Sequence, residues 1–210
     1  MNCCPKILRG QVDKFKKLKP DFFRHPTLEV AEGLLGKYLA VKRSGKILSG
    51  RIVETEAYIG EDDLACHASR GRTTRSETLY QKAGTIYVYL VYGMYYCFNI
   101  VTEREHFPSA VLIRAVEPAE GIDMMKKLRK TGVLHNLASG PGKLCMAFGI
   151  DKEMRGKDVF GDEVYIEDRG ERVVKEDIAR VKRIGVDYAG ACAHYPWRFY
   201  IKGNKFVSKN

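Results

Sequence analysis

The sequence predicts a single α/β domain with a curved, mostly antiparallel, partly rolled sheet, helices at its periphery and one protruding hairpin. Three observations lead there. Short runs rich in β-branched and aromatic residues, at Arg51 to Tyr58, Thr85 to Val91, Tyr95 to Val101 and Ala110 to Val116, read as strands. Ser44-Gly45 and Tyr92-Gly93 are turn pairs that fold neighbouring strands back on each other. Helical periodicity is confined to brief stretches. At 210 residues the chain is one domain or at most two, long enough to bury a real core.

Taken in order, residues 1–20 carry six Lys or Arg against one acid, Asp13, and little apolar periodicity. They read as a mobile basic arm before a domain over 21–208, able to follow a phosphate backbone or simply solvated. Thr27 can cap a helix with the apolar stripe Leu28, Ala31, Leu34 and Leu35, stopped by Gly36. Tyr38 to Val41 and Lys46 to Tyr58 read as paired strands. On the second, period-two geometry places Ile52, Glu54, Glu56 and Tyr58 on one face. Burying unpaired carboxylates is costly, so that face belongs to a cleft rather than a core.

The polar stretch from Glu61 to Glu77 holds His67, Arg70, Arg72 and Arg75, which suit a phosphate-facing rim or a solvated loop. The hairpin follows. Its turn displays Tyr92, where Asn, Asp or Ser is usual. Either its tyrosines are all core, or Tyr92 is a wedge that enters a partner. Arg114 lies inside an apolar strand and needs an acidic or phosphate partner, with Glu54 or Glu56 available. Glu117-Pro118 is expected to start a helix with Ile122, Met125 and Leu128 inward and Lys126, Lys127, Arg129 and Lys130 outward.

Ser139-Gly140-Pro141-Gly142-Lys143 lacks the spacing of a nucleotide-triphosphate loop. As a glycine-rich entry to a helix it can still hold one phosphate. Further strands are expected around Val164-Tyr165-Ile166 and Arg198 to Lys202. Ile184-Gly185-Val186 and Tyr188-Ala189-Gly190 are turn-rich loops able to close a site.

Lys plus Arg number 36 against 26 acids, for a net charge of +10 and a pI near 9.3. That surplus favours a polyanionic partner, nucleic acid or an anionic membrane, over a merely basic soluble protein. No apolar run approaches the roughly 20 residues that span a bilayer, so no membrane partner is expected. Cys3, Cys4, Cys66, Cys97, Cys145 and Cys192 form no Cys-x-x-Cys pair. Cys66-His67 and Cys192-Ala-His194 match no zinc spacing, so no metal is expected. With no apolar signal core, the thiols read as free in a reducing, intracellular compartment.

Six segments carry a resemblance: Val53-Glu54-Thr55-Glu56-Ala57-Tyr58, His67 in Ala-Cys-His, Gly84 to Asn99, Leu112 to Pro118, Ser139 to Leu144 and Arg198-Phe199-Tyr200. In this order, over about Leu18 to Ser208, they resemble the alkyladenine (3-methyladenine) DNA glycosylase family of the mammalian type. The resemblance implies hydrolysis of the N-glycosidic bond of alkylated or deaminated purines in double-stranded DNA. It implies base flipping, an abasic product, no cofactor and a DNA-associated monomer.

It implies, too, that Glu56 is the general base, with Arg114 and the Ile184 backbone carbonyl helping to hold the water. Tyr58 and Tyr89 would sandwich the flipped base, His67 would bond its edge or the sugar-phosphate, and Asn99 would form the pocket floor and clash with the guanine 2-amino group. Tyr92 would be the intercalating wedge, and Arg72, Gly142 and Lys143 would meet the DNA backbone. No lysine stands at the matched catalytic positions, so a monofunctional, water-using enzyme is expected. The chain departs from mammalian relatives at Ala191 and Cys192, where they carry an acidic residue and a tryptophan.

Three readings stand beside it, one of them a small structural or interaction protein. A non-catalytic damaged-DNA-binding module explains the charge but not two carboxylates in a cleft admitting a polyanion. A carbohydrate hydrolase could use Glu54 and Glu56, roughly 6.6 Å apart along a strand, but the basic surplus and the exposed Tyr92 do not fit it.

Overall fold

A computed structural model describes residues 15–208. Its centre is β3 (Lys46–Ile59), which is paired antiparallel to β2 (Tyr38–Arg43), β6 (Ser109–Glu120) and β9 (Arg198–Ile201). With β1 (Lys16–Lys17), β4 (Ile86–Val91), β5 (Tyr95–Val101) and β7 (Val164–Asp168), the strand order is β1-β7-β2-β3-β6-β5-β4. β8 (Ile178–Val181) joins through β9, every named pair is antiparallel, and the sheet does not close. The predicted mixed α/β domain is therefore present.

Among the described residues four short α-helices pack around this sheet: α1 (Pro20–Phe23), α2 (Thr27–Gly33), α3 (Ile122–Arg129) and α4 (Pro141–Phe148). The main core is a cluster that includes Val30, Leu34, Leu39, Ile52, Val53, Phe98, Ile113 and Phe148, and two smaller clusters, around Tyr80 and Tyr87 and around Val186 and Ala189, both pack against Tyr58. Both faces of β3 are covered. Val53 and Ala57 lie in the core, and Thr55 Oγ1 donates to Ala31 O of α2 at 2.9 Å. Leu48 and Ile52 are buried too, so the face that carries Glu54 and Glu56 begins as core and becomes cleft only further along.

Several expected boundaries differ. Of the basic arm over 1–20, residues 1–14 lie outside the described residues. The remainder is folded: Lys16 and Lys17 pair with Asp168 and Glu167, and Lys17 Nζ donates to Asp162. Thr27 is not the cap of α2. Pro26 holds that position, and the Thr27 N–H and hydroxyl both donate to Glu103, an acid brought from far along the chain.

The helix expected at Glu117-Pro118 starts instead at Ile122. Pro118 sits opposite Gly50 at a register irregularity, where a strand tolerates proline. Gly121 turns the chain at φ +71°, and a Cβ there would lie 2.3 Å from Leu48 Cδ2. Leu128 is exposed rather than inward; Met125 is fully buried, and Met124 packs on the core with Ile122. β8 went unforeseen because Ile178-Ala179-Arg180-Val181 is only four residues long and half covered.

Candidate active site

A cavity of about 470 Å³ opens at the far end of β3, within the size range of small-molecule sites. Tyr58, His67, Tyr89, Asn99, Arg114 and Ile184 all line it, as does Tyr92 at its rim. The structure therefore brings together residues spread over more than half the chain. β3 supplies Tyr58, β4 and β5 supply Tyr89 and Asn99, β6 supplies Arg114, and the loop after β8 supplies Ile184.

Glu56 is fully buried just behind this wall, held by three groups that line it. The Ile184 N–H donates to Oε1 at 2.8 Å. Tyr58 OH and Arg114 Nη1 donate to Oε2 at 2.8 and 3.1 Å. The group of Ile184 that meets Glu56 is its amide rather than the carbonyl expected to hold a water. Burial, then the facing Glu56 carboxylate, pushes the Tyr58 hydroxyl well above the usual tyrosine range, so it stays protonated and donates.

Glu54 has a different environment. It accepts from Arg114 Nε at 3.2 Å, Arg198 Nη1 at 2.8 Å and the Ser208 N–H at 2.7 Å, and it does not line the cavity. Arg114 thus bridges both carboxylates, satisfying the requirement its sequence position raised. The acid/base pairing of Glu54 with Glu56 is lost, because neither carboxylate lines the cavity and Glu54 is tied up by Arg114, Arg198 and the Ser208 amide.

His67 Nδ1 lies 2.8 Å from Tyr87 OH, and its ring packs edge-on to Tyr89 with centroids 4.5 Å apart. Burial, then Arg75 and Arg70, lowers its pKa to about 4, so the imidazole is neutral at physiological pH. Asn99 donates its amide hydrogens to Tyr87 O and Cys97 O at 3.1 and 3.4 Å, which fixes its orientation in the wall.

The hairpin tip is formed by Tyr92 and Gly93, at φ +53° and +69°, with the Met94 N–H donating to Val91 O. Both central residues have the positive φ that a tight type I′ turn needs. Tyr92 is 85% exposed, and Leu90, Met94 and Tyr95 are exposed beside it. An unshielded tyrosine in a conformation that favours glycine points to a role outside folding.

Gly142 enters α4 against this hairpin: a Cβ there would sit 3.0 Å from Tyr95 Cβ. Of the other two residues expected on a phosphate backbone, Lys143 Nζ donates to Asn136 Oδ1. Arg72 makes a two-point pair with Glu77 at 2.8 and 2.7 Å, half exposed.

Sequence reasoning missed the Asp63–Arg183 pair and the anchoring role of Arg198. Asp63 lies in an acidic run and Arg183 in a basic one, which ordinarily mark solvated segments. Arg75, from the stretch expected to be a phosphate-facing rim or a solvated loop, lies over the Tyr89 ring, 5.4 Å from its centroid. Cys66, Cys97, Cys145 and Cys192 are free and buried; Cys3 and Cys4 lie outside the described residues. Burial raises the Cys66 and Cys97 thiols to about 12 and about 11. Cys192, one of the two positions where a departure from mammalian relatives is expected, is buried and its carbonyl accepts from Arg183. Among the described residues no group of His, Cys, Asp and Glu is arranged to hold a metal, and no helix is long and apolar enough to cross a membrane.

A family model described as methylpurine-DNA glycosylase (MPG) matches residues 21–205. A Methanocella arvoryzae protein is 53% identical over 194 residues, covering 91% of this chain and 96% of its own length. Proteins of Clostridium perfringens (strain SM101) and Alkaliphilus oremlandii are 49% and 47% identical over 205 and 202 residues, each covering 92% of this chain and 99% of its own. All three carry the name "Putative 3-methyladenine DNA glycosylase".

Proposed function

Because this chain belongs to the methylpurine-DNA glycosylase family and is a DNA glycosylase, we propose that it releases alkylated or deaminated purines from double-stranded DNA by water attack at C1′. The class includes 3-methyladenine, hypoxanthine and ethenoadenine. The observation that carries this reading is a buried carboxylate, Glu56, held by three donors immediately behind an aromatic-lined cavity.

Hydrolysis needs the damaged nucleotide outside the duplex, which costs a few kcal/mol of stacking and pairing. Tyr92, at the exposed hairpin tip, enters the minor groove and fills the gap. The extruded base stacks between Tyr58 and Tyr89, with His67 at its edge or on the sugar-phosphate, and Asn99 at the floor excludes the 2-amino group of normal guanine. Gly142 and Lys143, at the start of α4, meet the DNA backbone, as does Arg72 once released from Glu77.

Glu56 has about four acceptor positions, and the three donors leave one of them on Oε1. A water bonded there, admitted as the DNA opens the wall, is aimed at C1′ beside the Ile184 backbone. As the glycosidic bond breaks, its electron pair leaves with the purine, the water oxygen bonds C1′, and Glu56 takes the water's proton. A cationic alkylpurine departs neutral; hypoxanthine or ethenoadenine needs a proton delivered to the leaving base. Among the described residues no lysine lines the cavity, which supports a monofunctional enzyme that leaves an intact abasic site. It acts as a monomer within the cell, on DNA.

The test is single-turnover release from duplexes bearing each lesion, with Glu56→Gln for comparison. Release slowed severely in the variant, to a small residual rate, while lesion binding persists is the expected result. Binding without release by the wild type would leave a non-catalytic damage-binding module.

A further inference from the structure

Behind the cavity lies a second charged pair more completely enclosed than the first. The Arg183 and Asp63 side chains are 0% and 1% exposed. Arg183 Nη1 and Nη2 donate to the two Asp63 oxygens at 2.6 and 2.8 Å, and also to Ala57 O at 2.9 Å and Cys192 O at 3.1 Å. Its guanidinium lies over the rings of Tyr58 and Trp197, 4.8 and 5.1 Å from their centroids. Asp63 also accepts from the N–H groups of Ile59 and Ala65 at 3.2 and 3.1 Å.

These contacts converge on Glu56. Arg183 immediately precedes Ile184, whose N–H holds Oε1. It also packs on the ring of Tyr58, whose hydroxyl holds Oε2. Two of the three donors to Glu56 therefore take their position from one guanidinium, while the third, Arg114, is anchored separately by Glu54. Fixing a loop at this point takes a planar side chain with several donors, which lysine cannot imitate.

We propose that the Asp63–Arg183 pair positions the Ile184 amide and the Tyr58 hydroxyl on Glu56, and thereby sets the rate of the chemical step. Arg183 is a positioning residue; it touches neither cavity nor substrate. The proposal rests on Glu56 acting as the general base.

Two variants test it, Arg183→Lys and the charge-neutral Asp63→Asn/Arg183→Gln, which leaves no lone buried charge. Each is checked for a cooperative melt, for affinity to a duplex bearing an alkylated purine, and for single-turnover release, in the native background and with Glu56→Gln. The expected result is affinity within about threefold and release slowed about 10- to 100-fold, the scale of one lost hydrogen bond to a charged acceptor. That loss should vanish in the Glu56→Gln background, because residues acting as a unit are not additive.

Wild-type rates in folded variants would overturn the proposal. So would a loss that persists in full without Glu56, a loss confined to binding, or collapse of both variants, which would make the pair structural only. Absence of release from the wild type would instead sink the proposed function, and this inference with it.

Discussion

Glu54→Gln removes one charge from a cluster whose formal charges balance. Glu54 and Glu56 face Arg114 and Arg198, and none of these side chains is more than 8% exposed. Glutamine keeps one carbonyl oxygen for the three donors that Glu54 now satisfies, and its amide group meets another donor. One buried cation is left uncompensated, at a cost of about 3–5 kcal/mol. That is a large share of the roughly 5–15 kcal/mol that holds a domain together.

Urea unfolding followed by the single tryptophan, Trp197, reads the loss directly. Adding Arg198→Gln should restore part of it by bringing the formal charges of the cluster back into balance. In the folded fraction, release should fall far less than in Glu56→Gln, since all three donors to Glu56 line the cavity whereas Arg198 and Ser208, two of the three donors to Glu54, do not. A loss under about 1 kcal/mol at unchanged denaturant dependence would refute the ion-cluster account. Abolished release with stability intact would give Glu54 a chemical role.

Three further outcomes follow from the same geometry. Tyr92→Asn should leave stability unchanged or raise it by under about 1 kcal/mol, because asparagine adopts positive φ more readily, while release from duplex DNA falls; unchanged release would remove the wedge. For His67, the folded pKa near 4 lies below the unfolded value, so the unfolded chain binds the extra proton and stability drops as pH falls from about 6.5 towards 4. Linkage puts the drop at pH 5 at up to about 2 kcal/mol, nearer 1 once partial solvent access is allowed for, and His67→Gln should flatten that part of the urea-stability profile. Duplex affinity should fall roughly tenfold or more between about 50 and 200 mM salt, measured by anisotropy; a flat response would mean that the +10 charge does not face DNA.

The individual strands and the β2–β3 and β4–β5 hairpins were legible because they are local: alternation, turn pairs and strand length settle them within ten residues or so. The same holds for Tyr92, whose exposure follows from its place in the turn. What escaped were features decided by distant partners. Pro118 stays in a strand because Gly50 lies opposite, and Thr27 leaves its capping role because Glu103 is nearby. Asp63 and Arg183 looked like members of solvated charge runs, and only a fold that brings residues 120 positions apart into contact turns them into a buried pair.

Glu54 and Glu56 show how far pattern alone reaches. Period-two geometry put them on one face, and nothing within β3 distinguishes a carboxylate two residues from its neighbour. The distinction comes from elements contributed later. β9 brings Arg198 beside Glu54, and the chain after it returns the Ser208 amide to the same carboxylate. The loop after β8 brings the Ile184 amide to Glu56. One acid is thereby immobilised as the anchor of Arg114, and the other keeps an acceptor position next to the cavity. A pair of equivalent carboxylates would repel an incoming phosphate backbone. Neutralising one with two arginines, and burying the other behind neutral donors and Arg114, lets a polyanion approach a basic protein while a carboxylate remains just behind the cavity wall.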